Sequence, residues 1–362
     1  MKILHIITSL ELGGAERLLT ELVPYQKQAG NIVKVMILTN YNSVFRENLE
    51  KQGIEIITAK SNNIKSFKNI FEIANEIKKE DYDVVHVHLV HAQYWTRMAK
   101  LLDGKSKNRL YVTTEHSTSN KRRDMFAMKM IDKFVFGGYD KIVSISPGTQ
   151  YSLEKWLGRN DKAFSVIYNG IDIEKFQKAT SYPKSDIGLK DSDIVLMMVS
   201  RFHSSKNHKG VVDALEWLPA KYKVVFVGDG ALEEETKEYV NSKGMSRRVV
   251  FLGMRKDIPQ LLKTADILIQ YSYFEGFGIT ALEGMASKKP VIASDVSGLG
   301  ELVRGAGIVV DSNNSRELAK GVLSLRTNED YEKVALECFN RSKEYTLESC
   351  ANKYLKLYEE KK

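Results

Sequence analysis

The sequence predicts an α/β protein built of two doubly wound, Rossmann-like β/α/β domains that face each other across a deep cleft. Short apolar runs alternate with helix-like stretches, and this alternation is typical of parallel sheets covered by helices on both faces. The alternation restarts after a polar interval at residues 175–193, and the length of 362 residues fits two domains of ordinary size.

The first half contains five apolar runs of strand length. Strands that are buried on both faces appear in sequence as short continuous apolar runs, so we expect these five to share one sheet. The predicted strands are 3–8, 34–38, 84–88, 110–114 and 141–146, and the clearer helices are 15–28, 66–79 and 92–102.

The second half repeats the pattern and ends in one more helix. Its apolar residues Leu347, Cys350, Tyr354 and Tyr358 follow spacings of 3, 4 and 4, which place them on one helix face, and Thr346 is a suitable N-cap. The sequence therefore predicts a first domain at 1–178, a second at 179–345, and a C-terminal helix at 346–362. The second-half strands are expected at 194–200, 223–227, 249–252, 267–270, 290–293 and 307–310, with the clearer helices at 210–218 and 278–286.

Composition excludes several classes of protein. With 43% hydrophobic residues the chain is too apolar to be disordered, and no apolar run reaches the ~18 residues of a membrane span. The first ten residues lack the cleavage site of a signal peptide, and two cysteines cannot form a disulfide framework. We expect a cytoplasmic location.

The positive charge is concentrated in the first half. Residues 1–178 carry 27 Lys and Arg against 20 Asp and Glu, which is nearly all of the net charge of +8. Such a surface attracts anionic partners, whether nucleic acid, lipid or substrate. No nucleic-acid-binding signature is present in the sequence, so a nucleic-acid partner is not expected.

Ligands of doubly wound sheets bind beyond the carboxyl ends of the strands, so the loops there hold the candidate residues. The first such loop contains Gly13 and Gly14, with Glu16 just inside the next helix. Adjacent glycines allow close approach to a ligand, and the helix start offers N–H groups to an anion. A tight turn without a ligand explains the glycines equally well, and the dinucleotide pattern Gly-x-Gly-x-x-Gly is absent from the sequence.

The second loop, residues 200–210, contains Arg201 and Lys206 and leads into a helix. Two cations at the carboxyl end of a strand suit a diphosphate, whose charge requires preorganised neutralisation. A solvated surface lysine is the alternative for Lys206, whereas Arg201 directly follows a buried strand and is harder to explain as a surface residue.

The third loop is the strongest candidate because it carries two carboxylates, Glu275 and Glu283, around a glycine- and aromatic-rich turn. Carboxylates accept hydrogen bonds from hydroxyls, so the pair suits polyols such as a ribose and a hexose. Glu275 alone is also explained as an acid at the positive end of a helix. Glu283 lies in the helix between Leu282 and Gly284, where a carboxylate is costly without partners.

Histidines mark a fourth position. His116 follows the strand predicted at 110–114, where it can hydrogen-bond a substrate or transfer a proton, although a purely structural histidine is the alternative. His86 and His88 share one strand face and could chelate a metal. No further ligand follows at metal-binding spacing, so no metal site is expected, and His91 is expected to line the cleft.

Seven short motifs occur in a fixed order along the chain. They are Gly13-Gly-Ala-Glu16, Thr113-Thr-Glu-His116, Ser144-Ile-Ser-Pro147, Val166-Ile-Tyr-Asn-Gly-Ile-Asp172, Ser200-Arg201 with Lys206, Phe226-Val-Gly-Asp-Gly230, and Glu275 eight positions before Glu283. This ordered set resembles the family-4 glycosyltransferases, which are retaining enzymes of the GT-B fold. The resemblance also implies that the C-terminal helix at 346–362 packs back on the first domain.

The resemblance implies roles for the candidate residues. Glu283 would bind the ribose hydroxyls of a nucleotide-sugar, and Arg201 with Lys206 would hold its diphosphate. Glu275 would contact the transferred sugar, and His116 would hydrogen-bond it or help it toward an oxocarbenium-like state. The other implied contacts are the Gly13-Gly14 turn with the phosphates or the acceptor, Glu16 and His91 with the acceptor, Gly276, Phe277, Gly278 and Ile279 with the sugar, and Gly253, Met254 and Arg255 with the nucleobase.

The implied reaction is sugar transfer, usually from a UDP-sugar and sometimes from a GDP-sugar. Bond breaking develops negative charge on the leaving diphosphate, and Arg201 with Lys206 would stabilise it without a metal or other cofactor. The resemblance implies attack on the same face of the sugar, with the leaving phosphate accepting the proton of the acceptor.

The acceptor is expected to be a saccharide or a lipid-linked molecule of polysaccharide or glycolipid assembly. The basic stretch from Lys121 to Phe134 is amphipathic and suits an anionic membrane surface on the inner face of the cell membrane. The alternative is a helix that packs Met125, Met128, Ile131 and Phe134 against its own domain.

Three other functions stay open. A UDP-sugar 2-epimerase has the same fold, and a non-catalytic sugar-nucleotide-binding protein would keep Glu283 but tolerate loss of His116 and Glu275. A nicotinamide oxidoreductase is disfavoured, because its best match, Gly228-Asp-Gly230-Ala-Leu-Glu233, has a glutamate where the third glycine belongs.

Overall fold

A computed structural model describes residues 1–11, 13–118 and 121–360, with only the backbone of Lys121 and Asp124. The chain divides into two compact units. Unit 1 comprises Met1–Gly170 and Leu347–Lys362, and unit 2 comprises Ile171–Thr346. Each is an α/β unit with its own parallel sheet, so the predicted fold class is confirmed.

Unit 1 alternates strands and helices from its first residues. In chain order it contains β1 (Lys2–Ile7), α1 (Gly14–Gln28), β2 (Ile32–Ile37), α2 (Arg46–Lys51), β3 (Glu55–Thr58), α3 (Lys68–Lys79), β4 (Val84–His88), α4 (Val90–Lys100), β5 (Leu110–Glu115), α5 (Phe126–Phe136), β6 (Lys141–Ser144), α6 (Pro147–Leu157) and β7 (Phe164–Val166).

The seven strands of unit 1 form one parallel sheet in the order β3-β2-β1-β4-β5-β6-β7. Successive strand residues point to opposite faces, and both faces are buried. On β1, Ile3 and Ile7 join the core on one face while Leu4 and Ile6 join the core on the other. The chain order reverses between β1 and β4, which makes this the switch point of the sheet.

Unit 2 has the same construction. Its elements are α7 (Ile173–Gln177), β8 (Ile194–Val199), α8 (His208–Ala214), β9 (Tyr222–Val227), α9 (Glu233–Ser242), β10 (Val249–Phe251), α10 (Ile258–Thr264), β11 (Ile267–Gln270), α11 (Ile279–Ala286), β12 (Val291–Ser294), α12 (Leu299–Val303), β13 (Ile308–Val310), α13 (Ser315–Ser324) and α14 (Asn328–Ser342).

The six strands of unit 2 pair in parallel in the order β10-β9-β8-β11-β12-β13. Its switch point lies between β8 and β11. Residues of β8, β9 and β11 with the apolar faces of α8 and α13 form one buried cluster, which contains Met198, Phe226, Ile269, Val212 and Val322.

The last helix, α15 (Leu347–Glu359), belongs to unit 1. Cys350, Ala351, Tyr354, Leu357 and Tyr358 are buried in the core cluster that also contains Leu18, Leu19 and Leu22 of α1. The helix therefore covers the same sheet face as α1, and its apolar side is the one that the 3- and 4-residue spacing indicates.

The structure divides the chain eight residues before the boundary expected at 178. Helix α7 packs on α10 and α11 of unit 2, and the Ile171 amide donates to the carbonyl of Tyr345 at 3.1 Å. The polar interval at 175–193 is also no open linker, because Lys184 pairs with Asp266 at 2.8 Å and the Tyr182 hydroxyl bonds Asp257 at 2.8 Å. These contacts fasten the interval onto unit 2.

Two strands of unit 1, β3 and β7, have no counterpart among the predicted elements. They form the two edges of the sheet and contain only four and three residues. Edge strands are short and half-exposed, so they lack the continuous apolar run by which the central strands are recognised.

Candidate functional site

The switch point of unit 2 brings two of the predicted loops together. β8 and β11 are neighbours, and the loops that follow them are residues 200–207 and 271–278. The two loops are bonded to each other, because the Tyr273 amide donates to the Ser205 carbonyl at 2.8 Å and the Asn207 amide donates to the Tyr271 carbonyl at 3.0 Å. Candidate residues far apart in sequence thus share one edge of the sheet.

Two glycines after β9 shape the loop that carries Arg201. Gly228 and Gly230 have φ of +135° and +148°, and a Cβ at Gly228 would lie 2.2 Å from the carbonyl oxygen of Ser200. The Phe202 amide donates to the Asp229 carbonyl at 2.8 Å in the same contact. The Gly-Asp-Gly motif therefore acts by letting its backbone lie directly against residues 200–202.

Arg201 projects from this loop and is exposed. Within the described residues it makes no hydrogen bond or ion pair, whereas the following residue, Phe202, is buried and stacks on His208 with ring centroids 4.2 Å apart. The anchored Phe202 fixes the backbone at the base of Arg201, which roots this side chain at the carboxyl edge of the sheet.

Lys206 and Glu275 form an ion pair between the two loops. The Glu275 carboxylate also accepts hydrogen bonds from the Gln270 amide at 3.2 Å and from the Gly276 N–H at 3.1 Å, and Lys206 donates to the Ser272 hydroxyl at 3.3 Å. Burial acts to raise the pKa of Glu275, but the Lys206 charge and these hydrogen bonds outweigh it and lower the pKa. The carboxylate is therefore ionised and held in one position.

Glu283 lies on α11, which starts directly after the second loop, and its side chain is only 1% exposed. A Cβ on the next residue, Gly284, would lie 2.3 Å from the Leu268 side chain, so α11 packs tightly on β11. A turn at Gly298, with φ +84°, lies against the Gly276 carbonyl in the same way. These close contacts of α11 and of the 271–278 loop accompany the burial of Glu283. Phe277 is buried as well, and Gly278 is the N-cap before Ile279.

The residues expected near a nucleobase follow β10. The Gly253 carbonyl accepts a hydrogen bond from the Gly228 amide at 2.8 Å, which places the segment beside the Gly-Asp-Gly turn. Met254 is exposed, and the Arg255 guanidinium pairs with Asp257 and holds the pKa of that carboxyl at about 2.

The glycine loop of unit 1 leads from β1 to α1, at the switch point of its sheet. Gly13 is the N-cap of α1, and a Cβ there would lie 2.1 Å from a carboxylate oxygen of Glu16. Glu16 therefore folds back over the first turn of its own helix, and Gly14 is exposed. Leu12, which precedes the glycines, lies outside the described residues.

The second strand at this switch point, β4, ends in a strained turn. Leu89 has φ of +67°, a conformation that is costly for a leucine and that is commonly retained where a site requires it. His91 follows in the first turn of α4, where burial, Lys65 and Arg122 lower its pKa.

A row of hydrogen-bonded histidines leads to His116. Gln26 Oε1 lies 2.8 Å from His5 Nε2, His5 Nδ1 lies 3.1 Å from His88 Nε2, and His88 Nδ1 lies 3.2 Å from His116 Nε2. His5 and Gln26 were not among the predicted site residues. The signal that could have found His5 is the pairing of β1 with β4, which sets His5 directly beside His86.

His5, His86 and His88 are buried, and their ring nitrogens lie within 4.8 Å of one another, the arrangement of a possible metal site. Every nitrogen of the three already has a protein partner. His86 bonds the Tyr358 hydroxyl at 2.6 Å and the Thr114 hydroxyl at 2.7 Å, and the others are in the row above. The donor set is thus satisfied by protein groups, and the absence of a metal stays a prediction.

The basic stretch 121–134 comprises a single 3-10 turn, Lys121–Asp124, and most of α5, and the side chains of Lys121 and Asp124 lie outside the described part. Phe126, Met130 and Met125 are 80%, 60% and 59% exposed. The packing alternative for this stretch is wrong, because Ile131 and Phe134 are exposed too. The residues that α5 buries are instead Asp132, Val135 and Phe136, while its apolar residues Phe126, Met130, Ile131 and Phe134 stay exposed.

A search of the described chain for a helix with the length and apolarity of a membrane span finds none.

Comparison with known families matches nearly the whole chain. The model described as Glycosyltransferase Family 4 matches residues 12–175, and that described as Glycosyl transferases group 1 matches residues 183–339. Among curated proteins, the chain is 27% identical to an Escherichia coli UDP-Gal:α-D-GlcNAc-diphosphoundecaprenol α-1,3-galactosyltransferase, over 77% of this chain and 75% of that one. It is 25% identical to a Campylobacter jejuni N-acetylgalactosamine-N,N'-diacetylbacillosaminyl-diphospho-undecaprenol 4-α-N-acetylgalactosaminyltransferase, over 91% of each chain.

Solved structures show the same fold. An Anabaena protein crystallised with UDP and glucose superposes with a TM-score of 0.86 at 21% identity, covering 99% of both chains. A Rickettsia africae glycosyltransferase gives a TM-score of 0.85 at 24% identity, covering 99% of this chain and 98% of that one.

Proposed function

Because the chain belongs to the family-4 glycosyltransferases of the GT-B fold, we propose that it transfers a sugar from a UDP-linked donor to a lipid-linked saccharide with retention of configuration. The coarser activity, glycosyl transfer from a nucleotide-sugar, follows from the family and its relatives. We propose three further properties of the reaction: UDP carries the donor sugar, the acceptor is lipid-linked, and the configuration of the sugar is retained.

The observation that carries the donor site is the meeting of the loops after β8 and β11. Among the described residues Arg201 makes no ion pair or hydrogen bond, and it shares its loop with Lys206, which pairs with Glu275 across the two loops; the buried Glu283 lies on the helix that follows the second loop. A nucleoside diphosphate sugar has an anionic diphosphate between two polyols, the ribose and the sugar. The edge offers cations that suit the diphosphate and carboxylates that suit the hydroxyls. The bound UDP of the Anabaena protein supports uridine as the base.

Arg201 and Lys206 act on the leaving group. Cleavage of the bond between the sugar and the phosphate increases the negative charge on the diphosphate, and cations that are already in place stabilise that charge in the transition state more than in the ground state. We assign the proton of the attacking hydroxyl to the leaving phosphate, so that attack and departure use the same face of the sugar. Glu275, ionised and fixed by Lys206, holds a hydroxyl of the transferred sugar.

The donor is tested by thermal denaturation with UDP, GDP and ADP. A ligand at about one hundred times its Kd stabilises a protein by ~2.7 kcal/mol, so UDP is expected to raise Tm clearly and the other two much less. The Glu283→Gln variant, compared with Glu238→Gln on the exposed face of α9, should lose the response to UDP. Equal responses to all three nucleotides would refute the choice of uridine.

Product analysis with the best UDP-sugar separates transfer from its rivals. A transferase releases UDP and forms a glycosylated acceptor whose anomeric configuration can be determined by NMR. An epimerase would return an isomeric UDP-sugar with the diphosphate intact, and a binding protein would leave the substrate unchanged. An inverted product would overturn the proposed retention.

The acceptor side rests on α5. Its uncovered apolar residues, including Phe126 and Met130, share the helix with Lys129 and Lys133, a combination that binds anionic bilayers by burying apolar side chains and pairing with headgroups. The names of the Escherichia coli and Campylobacter jejuni relatives specify undecaprenol-linked acceptors, which reside in membranes. A peripheral position on the membrane surface would bring the enzyme to such a substrate.

Flotation with anionic vesicles at low salt tests the membrane proposal. The wild-type protein is expected to float with anionic vesicles and much less with zwitterionic ones. The double variant Phe126→Ser/Met130→Ser should stay at the bottom, whereas Phe71→Ser, which changes a 55% exposed phenylalanine on α3, should float as wild type does. Equal flotation of the two variants, or no flotation of the wild type, would remove the membrane role.

A further inference from the structure

We propose that Gln26, His5 and His88 form a buried relay that sets the tautomer and orientation of His116, so that His116 presents an unprotonated Nδ1 to a sugar hydroxyl at the carboxyl edge of its own sheet. This proposal rests on the proposed function for the sugar contact, whereas the tautomer itself is a property of the protein alone. Gln26, His5 and His88 are positioning residues, since they act through His116.

The relay follows from the topology of unit 1. β1, β4 and β5 are neighbours in the sheet, and alternate residues of each strand share a face. His5 in β1, His88 at the end of β4 and His116 just beyond β5 therefore lie on the face that α1 and α15 cover. Gln26 reaches the row from α1, and the row ends at the carboxyl edge of the sheet.

The direction of the hydrogen bonds follows from the end group. The Gln26 oxygen can only accept, so His5 carries its proton on Nε2 and leaves Nδ1 bare. His88 must then donate from Nε2 to His5 Nδ1, which leaves its own Nδ1 bare. His116 donates from Nε2 to that nitrogen and keeps Nδ1 as an acceptor. Each step requires that the imidazoles are neutral, with one N–H apiece.

Burial keeps the row neutral. It lowers the pKa of His5 and of His116 to about 4 and lowers that of His88 well below its usual range. At neutral pH none of these three rings carries a second proton. The donor and acceptor roles that Gln26 imposes on His5 therefore determine those of His88 and of His116.

Nδ1 of His116 has no hydrogen-bond partner within the described part of unit 1, and the ring is partly exposed. A bare nitrogen at the carboxyl edge accepts a hydrogen bond from a hydroxyl but repels another acceptor such as a phosphate oxygen. The relay thus assigns His116 to the hydroxyl-bearing part of a nucleotide-sugar rather than to its diphosphate.

His86 provides a matched control inside the same cluster. Its ring lies 4.1 Å from that of His88, and its nitrogens bond the hydroxyls of Tyr358 and Thr114 rather than a member of the row; the Tyr358 hydroxyl also accepts a hydrogen bond from the Gln26 amide, at 3.5 Å. Replacing His86 by leucine disturbs the core much as replacing His88 does, yet leaves the hydrogen bonds from Gln26 to His116 in place.

The experiment combines nitrogen NMR of ¹⁵N-histidine-labelled full-length protein with turnover of the UDP-sugar. Wild type is expected to show His116 protonated at Nε2 and bare at Nδ1. In His88→Leu the NMR signal of the hydrogen-bonded Nε2–H of His116 should disappear. Turnover should fall about tenfold, which is the effect of one hydrogen bond, while the Kd for UDP stays unchanged. In His88→Asn the side-chain oxygen takes the place of Nδ1 as acceptor, so most of the His116 Nε2–H signal and most of the turnover should return. His86→Leu should change neither the signal nor the turnover.

Three results would overturn the proposal: His116 protonated at Nδ1 in the wild type, a His88→Leu variant with full turnover, or equal losses in His86→Leu and His88→Leu. Failure of the proposed function is distinguishable, because an inactive wild-type protein with the expected His116 tautomer would refute the sugar transfer and leave the relay intact.

Discussion

The ammonium of Lys206 and the carboxylate of Glu275 are joined in an ion pair that links the loops after β8 and β11. Each side chain alone suits a different part of a nucleotide-sugar, the cation a phosphate and the anion a hydroxyl. Because Lys206 and Glu275 neutralise each other, Arg201 is the cation of the 200–207 loop for which the described residues provide no protein partner.

Replacement of Glu275 by glutamine should separate the two roles. The change removes the charge that offsets Lys206, so the affinity for UDP is expected to stay the same or increase. Turnover of the UDP-sugar should fall by about 10- to 150-fold, since a hydrogen bond to a charged group contributes roughly 1.5–3 kcal/mol. Calorimetry with UDP and an assay of UDP release measure the two effects, and a weaker UDP complex with normal turnover would contradict both assignments.

Replacement of Glu283 by alanine should weaken binding of the nucleotide itself. Loss of a charge-assisted contact to the ribose is worth roughly 1.5–3 kcal/mol, or about 10- to 150-fold in Kd. Glu238→Ala, at an exposed position of α9, is the control and should bind as wild type does. If calorimetry gives the same Kd for UDP in all three proteins, Glu283 does not contact the ribose.

Replacement of Arg201 by alanine should act mainly on kcat. The charge that Arg201 meets increases as the diphosphate leaves, so a loss of about 10²–10³ in turnover is expected, as for other groups that stabilise a developing anion. Arg201→Lys should keep part of the rate because the charge remains. Steady-state kinetics decide the matter: a change confined to KM would place Arg201 in ground-state binding alone.

Replacement of Gly228 by alanine should destabilise unit 2 and displace the Arg201 loop. The residue has φ of +135°, and its Cβ would lie 2.2 Å from the Ser200 carbonyl oxygen, so a loss of about 1–3 kcal/mol is expected. Gly104→Ala is the control, because a Cβ there meets nothing within 4 Å and the φ is not positive. If the two variants have the same denaturation midpoint, the close contact at Gly228 does not contribute to stability.

The free energy of unfolding should fall as the pH is lowered from about 6.5. Burial lowers the pKa of His5 to about 4, so between these values the unfolded chain binds a proton that the folded protein excludes. Each such histidine contributes a loss of about 1.4 kcal/mol per pH unit. Denaturant titrations at pH 7.5, 6.5 and 5.5 should show little change between the first two values and a clear loss between the last two, and His86→Leu, which removes one of these groups, should reduce that loss. A stability that is constant over this range would contradict neutral, buried histidines.

The elements predicted from the sequence agree best with the structure at the centre of each sheet. The strands Val84–His88 and Ile267–Gln270 have the predicted bounds, because central strands are buried on both faces and leave an uninterrupted apolar run. The edge strands β3 and β7 and the folded interval before β8 escaped prediction, since edge and surface segments are held by contacts with distant residues rather than by local pattern.

The candidate site likewise has a part that the sequence predicted and a part that depends on the tertiary structure. The residue types at the loop positions and their order along the chain indicated the family and named Arg201, Lys206, Glu275 and Glu283, because phosphates and sugars demand particular charges and hydroxyl partners. The pairing of Lys206 with Glu275 depends on β8 lying beside β11, which no local spacing records.

The sequence by itself determined the alternation of strands and helices, the two-domain α/β class and the charged and polar residue types in the loops. These follow from the period of hydrophobic residues and from side-chain type. The tertiary structure alone decided which of those side chains meet. It joined His5 to His88 and so to His116 across three strands, and it left apolar residues of α5 exposed, because both outcomes depend on strand order and helix packing rather than on neighbours in the chain.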